Sequence, residues 1–313
     1  MTESTYTFLS ADNHSNIHCR RWIPDGEPVA VLQLVHGMIE YIERYDEFAK
    51  FLNTKGYVVA GHDHIGHGHS VSSDDELGIM DGKDPSDTMV EDIYSHYCII
   101  EEEYPEIPHF ILGHSMGSYM VRKFLSVKAD KLSRLSGAVI MGTGSEADGT
   151  INAGLAVIKV LSLIKGKDYR SKLVADMAFG APYKKYDLTG KEPSNSWLSK
   201  NVENVTKYYN DKYCTFTFSL NAYKGLVSST KYDNNPDNIA KMRKDMPLLV
   251  VSGKDDPVGN CGVGTTEAYE KFKAAGITDV TLKLYENDRH EILNELDRQM
   301  VFEDIFNWLE SHK

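Results

Sequence analysis

The sequence predicts an α/β protein with a mostly parallel central sheet, helices on both faces and a mainly helical insertion. Three observations lead there. Nearly continuous apolar runs recur at 29–35, 57–60, 108–112, 136–141 and 247–252, as expected of strands buried on both faces. Amphipathic stretches separate them, and such crossovers join parallel neighbours. The alternation lapses over 144–242, where apolar helical stretches alternate with polar Gly/Pro/Lys segments and no strand-like run occurs. The expected organisation is a core in two parts, 1–143 and 243–313, with a helical cap at 144–242.

Taken in order, 5–9 and 16–22 alternate with period two, and Asp12-Asn13 between them supplies turn chemistry, so an antiparallel hairpin is expected. The buried strand 29–35 follows. Tyr45, Phe48, Ala49, Phe51 and Leu52 have helical spacing, with Gly56 as the stop. Residues 57–60 form the next strand, 84–103 a helix, 108–112 a strand, then a sharp turn and a helix from about 119, and 136–141 another strand. Helices are expected in the cap at 151–164, 201–209 and 217–226. Order resumes with a strand at 247–252, a helix at 265–275, a strand at 280–285 and a closing amphipathic helix at 295–309.

The length of 313 residues and 41% apolar content suffice for a large core. A net charge of −12 argues against nucleic acid and against simple adsorption to an anionic membrane, while leaving a neutral lipid substrate open. Residues 1–30 lack the pattern of a secretory signal, and no stretch has the length of a membrane span. Cys19, Cys98, Cys214 and Cys261 are scattered, with no C-x-x-C pair, and read as reduced thiols of a cytoplasmic protein.

Gly113-His114-Ser115-Met116-Gly117 carries the chemistry. A strand before it and a helix after it are the context of a nucleophile elbow, in which a strained serine sits above a helix N-terminus and the flanking glycines avoid clashes. A serine hydroxyl needs a base, and the base needs an orienting acid, here in the chain order Ser, acid, His. Downstream of Ser115 only His290 and His312 remain. His312, beside the C-terminal lysine, is expected to fray, whereas His290 follows the last strand and is the expected base. Two aspartates follow the strand 247–252; Pro257 biases Asp256 towards an extended backbone, so Asp256 is the expected acid and Asp255 the solvated neighbour. His36-Gly37-Met38 ends the strand 29–35. There the backbone N–H of Met38, with that of Met116, is the expected oxyanion hole, and Gly37 permits close approach of the chain.

Residues 61–70 hold His62, Asp63, His64, His67 and His69, a density suggestive of zinc. No second cluster completes a shell, and the glycines read as a tight βα loop, so a bracing role is preferred, with no metal and no cofactor. The stretch 151–164 is too short to span a bilayer. Its spacing suits a helix packing the cap's own core, the sharper alternative being that some of Leu155, Ile158, Leu161 and Leu163 line an acyl tunnel.

With these pieces placed, the chain resembles the monoacylglycerol lipase and lysophospholipase group of serine α/β-hydrolases. The segments that carry the resemblance are 36–45, 61–68, Gly113-His114-Ser115-Met116-Gly117-Ser118, 253–258 and Arg289-His290-Glu291-Ile292-Leu293-Asn294-Glu295, with Ser196-Trp197-Leu198-Ser199 and Thr215-Phe216-Thr217-Phe218 in the cap. It implies the α/β-hydrolase fold, bracing of the oxyanion loop by Glu40 and Arg44, and a structural histidine-rich loop. Tyr41, where the family often has histidine, and Ile39, where it often has a small residue, depart from the pattern beside the oxyanion loop. The expected activity is hydrolysis of an acyl ester, monoacylglycerol or lysophospholipid-like, through an acyl-enzyme, with transient lipid-surface contact through the cap. The alternatives are a peptidase of the same fold acting on small N-terminal residues, a metallohydrolase and a non-catalytic binding protein.

Overall fold

A computed structural model describes residues 1–313. Strands β1 (Thr2–Leu9) and β2 (Asn16–Ile23) form the antiparallel hairpin. Its turn is stabilised by Asp12, whose Oδ1 accepts the His14 and Ser15 N–H groups at 2.9 and 2.8 Å. Then come β3 (Ala30–Val35), α1 (Asp46–Thr54), β4 (Tyr57–His62), α2 (Pro85–Glu103), β5 (His109–His114), α3 (Met116–Val127) and β6 (Leu135–Met141). The insertion contains α4 (Asp148–Lys165), α5 (Lys172–Ala178), α6 (Val202–Tyr209), α7 (Leu220–Asn234) and the single turn α8 (Pro236–Ile239). β7 (Leu248–Gly253), α9 (Val263–Ala274), β8 (Val280–Tyr285) and α10 (Arg298–Ser311) close the chain.

One eight-stranded sheet runs β1-β2-β4-β3-β5-β6-β7-β8. β2 meets β4 antiparallel, and every pair from β4 to β8 is parallel. All residues of β3, β4, β5 and β7 are buried, because helices cover both faces. The pleat divides the apolar residues between two cores. Leu32, Leu34, Phe110 and Leu112 face Phe48 of α1 and Phe302 and Ile305 of α10. Val35, Ile111 and Val250 face Ile93 of α2, Phe124 of α3 and Phe272 of α9. The expected mostly parallel sheet with helices on both faces is the architecture found.

α4 packs against α7 and α5 of the insertion: Ile151 and Ile158, seven residues apart, are buried, and Ile158 belongs to a cluster that α7 continues into the main core, whereas Leu163 is 81% exposed and lines nothing. A separate, largely aromatic cluster of the insertion lies around Tyr183, Trp197, Leu198, Val205 and Tyr208. Two expectations are corrected. α7 starts at its Ser219 cap and runs eight residues past the expected end at 226, because Ser229 and Asp233 continue its buried face as polar residues that a hydrophobic pattern does not register. His312 does not fray: its ring packs on Trp308 (centroids 4.4 Å apart), and its Nε2 lies 3.2 Å from Asp279 Oδ2.

Candidate active site

Ser115 is the single residue between β5 and α3, at φ 52°, ψ −121°, a positive-φ conformation outside the left-handed helical well that costs an L-residue about 1–3 kcal/mol. Its N–H bonds to Met141 O on the neighbouring strand at 2.9 Å, which holds the turn. The flanking glycines are fixed by space. A Cβ on Gly113 would lie 2.4 Å from Gly117 O, and one on Gly117 would lie 2.2 Å from Val35 O. Both obstructions are backbone and cannot swing away. Gly117→Ala is therefore expected to destabilise by about 3 kcal/mol or more, lowering Tm by roughly 6 °C or more; a melt unchanged from the parent protein would contradict this geometry.

Asp256 and His290 leave adjacent strand ends, β7 and β8, and meet. His290 Nδ1 lies 2.9 Å from Asp256 Oδ2. That carboxylate is wholly buried and also accepts Ser252 Oγ–H at 3.0 Å and the Val258 N–H at 2.8 Å. With Nδ1 committed to a carboxylate, Nε2 is the nitrogen left to act as acceptor. Asp255 points elsewhere: its side chain is 45% exposed and 3.6 Å from Lys200 Nζ.

Beneath this pair lies a charged network that the sequence reading only partly found. Glu40 Oε1 accepts the Gly37 N–H at 2.5 Å and the Tyr45 hydroxyl at 3.0 Å, and faces His114 Nδ1 at 2.8 Å. Arg44 bridges Glu40 (3.1 Å) to Glu291, which it grips with two bonds of 2.6 and 2.8 Å. The resemblance implied that Glu40 and Arg44 brace the loop, and here Glu40 bonds Gly37 directly. His114 and Glu291 were not weighed. His114 Nε2 lies 3.3 Å from the His290 carbonyl, so both ring nitrogens face oxygen acceptors, an arrangement that favours the doubly protonated ring. Burial opposes that charge, but Glu40, Glu291 and the carbonyl outweigh it and raise the His114 pKa. Burial likewise pushes Glu40 up, yet His114, Arg44 and the Gly37 N–H bring it to about 2. Only the position of His114 inside the elbow could have drawn attention to it.

His36 Nε2 accepts the His64 N–H at 2.9 Å, leaving Nδ1–H to donate to Gly37 O at 2.8 Å. A Cβ on Gly37 would lie 2.9 Å from Ser115 Cβ and 2.6 Å from Glu40 Oε1, so the chain comes close to the serine only because this residue is glycine. Met38 follows, half-buried, and Met116 opens α3, where its N–H has no partner within the helix. The two departures from the family pattern have physical consequences. Ile39 sits at φ 57°, a strained place for a β-branched residue, and Tyr41 donates to Asp211 Oδ2 at 2.8 Å in the insertion.

The side chains of 61–70 diverge. His62 Nδ1 meets His96 Nδ1 at 3.0 Å, His64 Nε2 donates to His36 O at 3.2 Å, and His67 Nδ1 faces Ile65 O at 3.0 Å. Asp63 accepts the Ile42 and His69 N–H groups, both at 2.8 Å. No three His, Cys, Asp or Glu side chains converge as a metal site. Burial drives His36, His62, His64 and His67 below the ordinary imidazole value, so they stay neutral and act as packed hydrogen-bonding rings. All four cysteines are free.

The chain as a whole is similar to known proteins. Over 307 residues the chain is 28% identical to the monoglyceride lipase of Mus musculus, covering 95% of this chain and 87% of that one. It is 29% identical over 296 residues to the monoacylglycerol lipase of Mycolicibacterium smegmatis, covering 93% and 91%. Among solved structures, a thermostable carboxyl esterase from Bacillus coagulans superposes with a TM-score of 0.88 at 27% identity, covering 100% and 99% of the two chains. A soluble variant of the Saccharomyces cerevisiae monoglyceride lipase superposes at 0.77 with 20% identity, covering 99% and 95%. Residues 26–297 match one family model. The chain belongs to that family, the serine aminopeptidase S33 family.

Proposed function

We propose that the protein is a serine carboxylester hydrolase that cleaves monoacylglycerol or a similar single-chain acyl ester through an acyl-enzyme. The observation that carries the reading is the buried Asp256–His290 pair at the sheet edge that also bears the strained Ser115. In this reading Ser115 attacks the ester carbonyl, His290 takes its proton, and Asp256 orients the ring and stabilises the imidazolium. The N–H groups of Met38 and Met116 hold the oxyanion, each worth about 3 kcal/mol in the transition state. Glu40, Arg44 and His36 fix the loop that presents Met38. Water then releases the acid.

The family's description raises the alternative of an N-terminal peptidase, which would need a carboxylate to bind the substrate's ammonium group. The buried carboxylates around the site are already committed. Glu40 serves Gly37, His114 and Arg44; Glu291 serves Arg44 and Asn204; Asp256 serves His290 and Ser252. That favours the ester. The lipase names of the relatives point the same way.

We read 144–242 as a cap over a core made of 1–143 and 243–313. Its helices α4 and α5 leave Val160, Leu163, Ile164, Leu173 and Met177 exposed, beside Lys159, Lys165, Lys167 and Lys172, which supports brief docking on a lipid surface. No helix is long and apolar enough to cross a membrane. The free thiols support a cytoplasmic location. The test is a panel of p-nitrophenyl esters of rising chain length, monoacylglycerol, lysophosphatidylcholine and aminoacyl-p-nitroanilides. Ester kcat/KM is expected to exceed anilide kcat/KM by about 100-fold or more. Preferred cleavage of the anilides would make it a peptidase, and loss of turnover with chelator would make it a metallohydrolase.

A further inference from the structure

We propose that Trp197, carried by the insertion, is a positioning residue that holds the His290 imidazole in its working orientation and favours its protonated form during turnover. The inference rests on the serine-hydrolase reading above. An imidazole held at one nitrogen can still rock about that bond. Here the Trp197 indole lies almost flat against it, with centroids 5.1 Å apart and planes 29° apart. The His114 ring packs at 4.7 Å, and the backbone of Gly142 is so close that a Cβ there would lie 3.1 Å from His290 Cε1. The ring is left 2% exposed.

Trp197 is itself held. Phe179 and Tyr183 pack edge-on against it at 5.8 and 5.4 Å. Its segment and the His290 loop are tied together by backbone-directed bonds. Glu291 N–H donates to Leu198 O at 2.8 Å. The Arg289 guanidinium donates to the carbonyls of Ser194, at 3.2 Å, and Ser196. Asn201 Nδ2 donates to Asn294 O at 3.0 Å, and Glu295 accepts the N–H groups of Lys200 and Arg289 at 2.9 and 3.0 Å. Residues 194–201 of the insertion and 289–295 of the core are therefore tied together, and the indole rides on the segment bonded to the His290 loop.

The consequence is chemical. When the Ser115 O–H bond breaks and an N–H bond forms at His290 Nε2, the ring becomes a cation beneath an indole face. The negative face of the indole attracts the imidazolium more than the neutral imidazole. The contact thus strengthens between the resting state and the transition state, so its loss belongs in kcat and not in KM.

The test compares Trp197→Met, which fills much of the space without a ring, with Trp197→Phe, which keeps an aromatic face, on p-nitrophenyl acetate, whose acyl group is too short to reach apolar walls of the cap. Expected are a fall in kcat of about tenfold for the Met variant with KM within about twofold, and recovery of most of kcat in the Phe variant. Labelling of Ser115 by a fluorophosphonate should slow in parallel. The proposal is overturned if the Met variant turns over acetate like the parent protein, if Met and Phe lose equally, or if the loss appears only in KM for long-chain esters, which would make Trp197 a wall of the acyl site. A Met variant whose melt shows it unfolded is replaced by Trp197→Leu, judged by the same comparison. Ser115→Ala in the same assay separates the two readings. If it still turns over, the serine mechanism fails; if it is inactive while the Met variant is normal, only the positioning role fails.

Discussion

Ser115→Ala is expected to lower kcat on any ester by about 10⁴-fold or more and to abolish fluorophosphonate labelling, with the melt within about 2 °C of the parent protein. The size follows from the absence of a substitute nucleophile. Ser118, the next hydroxyl along α3, donates to Ser115 O at 2.6 Å and is committed to the turn. The turn does not depend on the Ser115 side chain, because its N–H bond to Met141 is backbone and alanine at φ 52° carries the same Cβ strain as serine. Stability should therefore persist while chemistry is lost. Residual turnover would come from oxyanion donors acting on water, which alone can leave about 10³-fold catalysis over the uncatalysed reaction. Retention of more than about 1% of the parent kcat, with the substitution verified by mass, would remove Ser115 from the mechanism.

What was legible in the sequence is what depends on neighbours along the chain. Each buried strand is a run of apolar residues, and α2 begins where Asp84 caps and Pro85 occupies the first turn. Chain order and the preceding strand point to His290, the proline after Asp256 distinguishes it from Asp255, and the fold brings the Asp256 and His290 side chains together. What was not legible depends on contacts between distant segments. His114 lies 74 residues from Glu40 in sequence, and its other ring nitrogen faces the His290 carbonyl 176 residues away. The contact of Trp197 with His290 requires the whole insertion to be placed. α4 is apolar on nearly every side, so its spacing did not say which stripe would be covered, and the answer came from α7 and the main core. Tyr41, recognisable only as a departure, proves to tie the Gly37 loop to Asp211 of the insertion.

Asp256→Asn should then lower kcat by about 10⁴-fold while Asp255→Asn stays within about twofold, although the two residues are adjacent. A carboxylate accepts the Nδ1–H of His290 and so selects the tautomer whose Nε2 can take a proton from serine. An amide facing Nδ1 through its NH₂ group donates instead, which forces the proton to Nε2 and removes the base. An amide turned the other way would accept from Nδ1 but lacks the charge that stabilises the imidazolium. The neighbouring bonds favour the first orientation, since Val258 N–H holds one side-chain oxygen at 2.8 Å and leaves the NH₂ group at the position that faces both Ser252 Oγ and His290. Asp255 offers only a partly exposed ion pair with Lys200, worth about 0–1 kcal/mol to stability and remote from the imidazole. Parallel kcat measurements on the two variants decide the matter: equal losses would point to a distorted turn at 253–258, and a larger loss at Asp255 would reassign the acid.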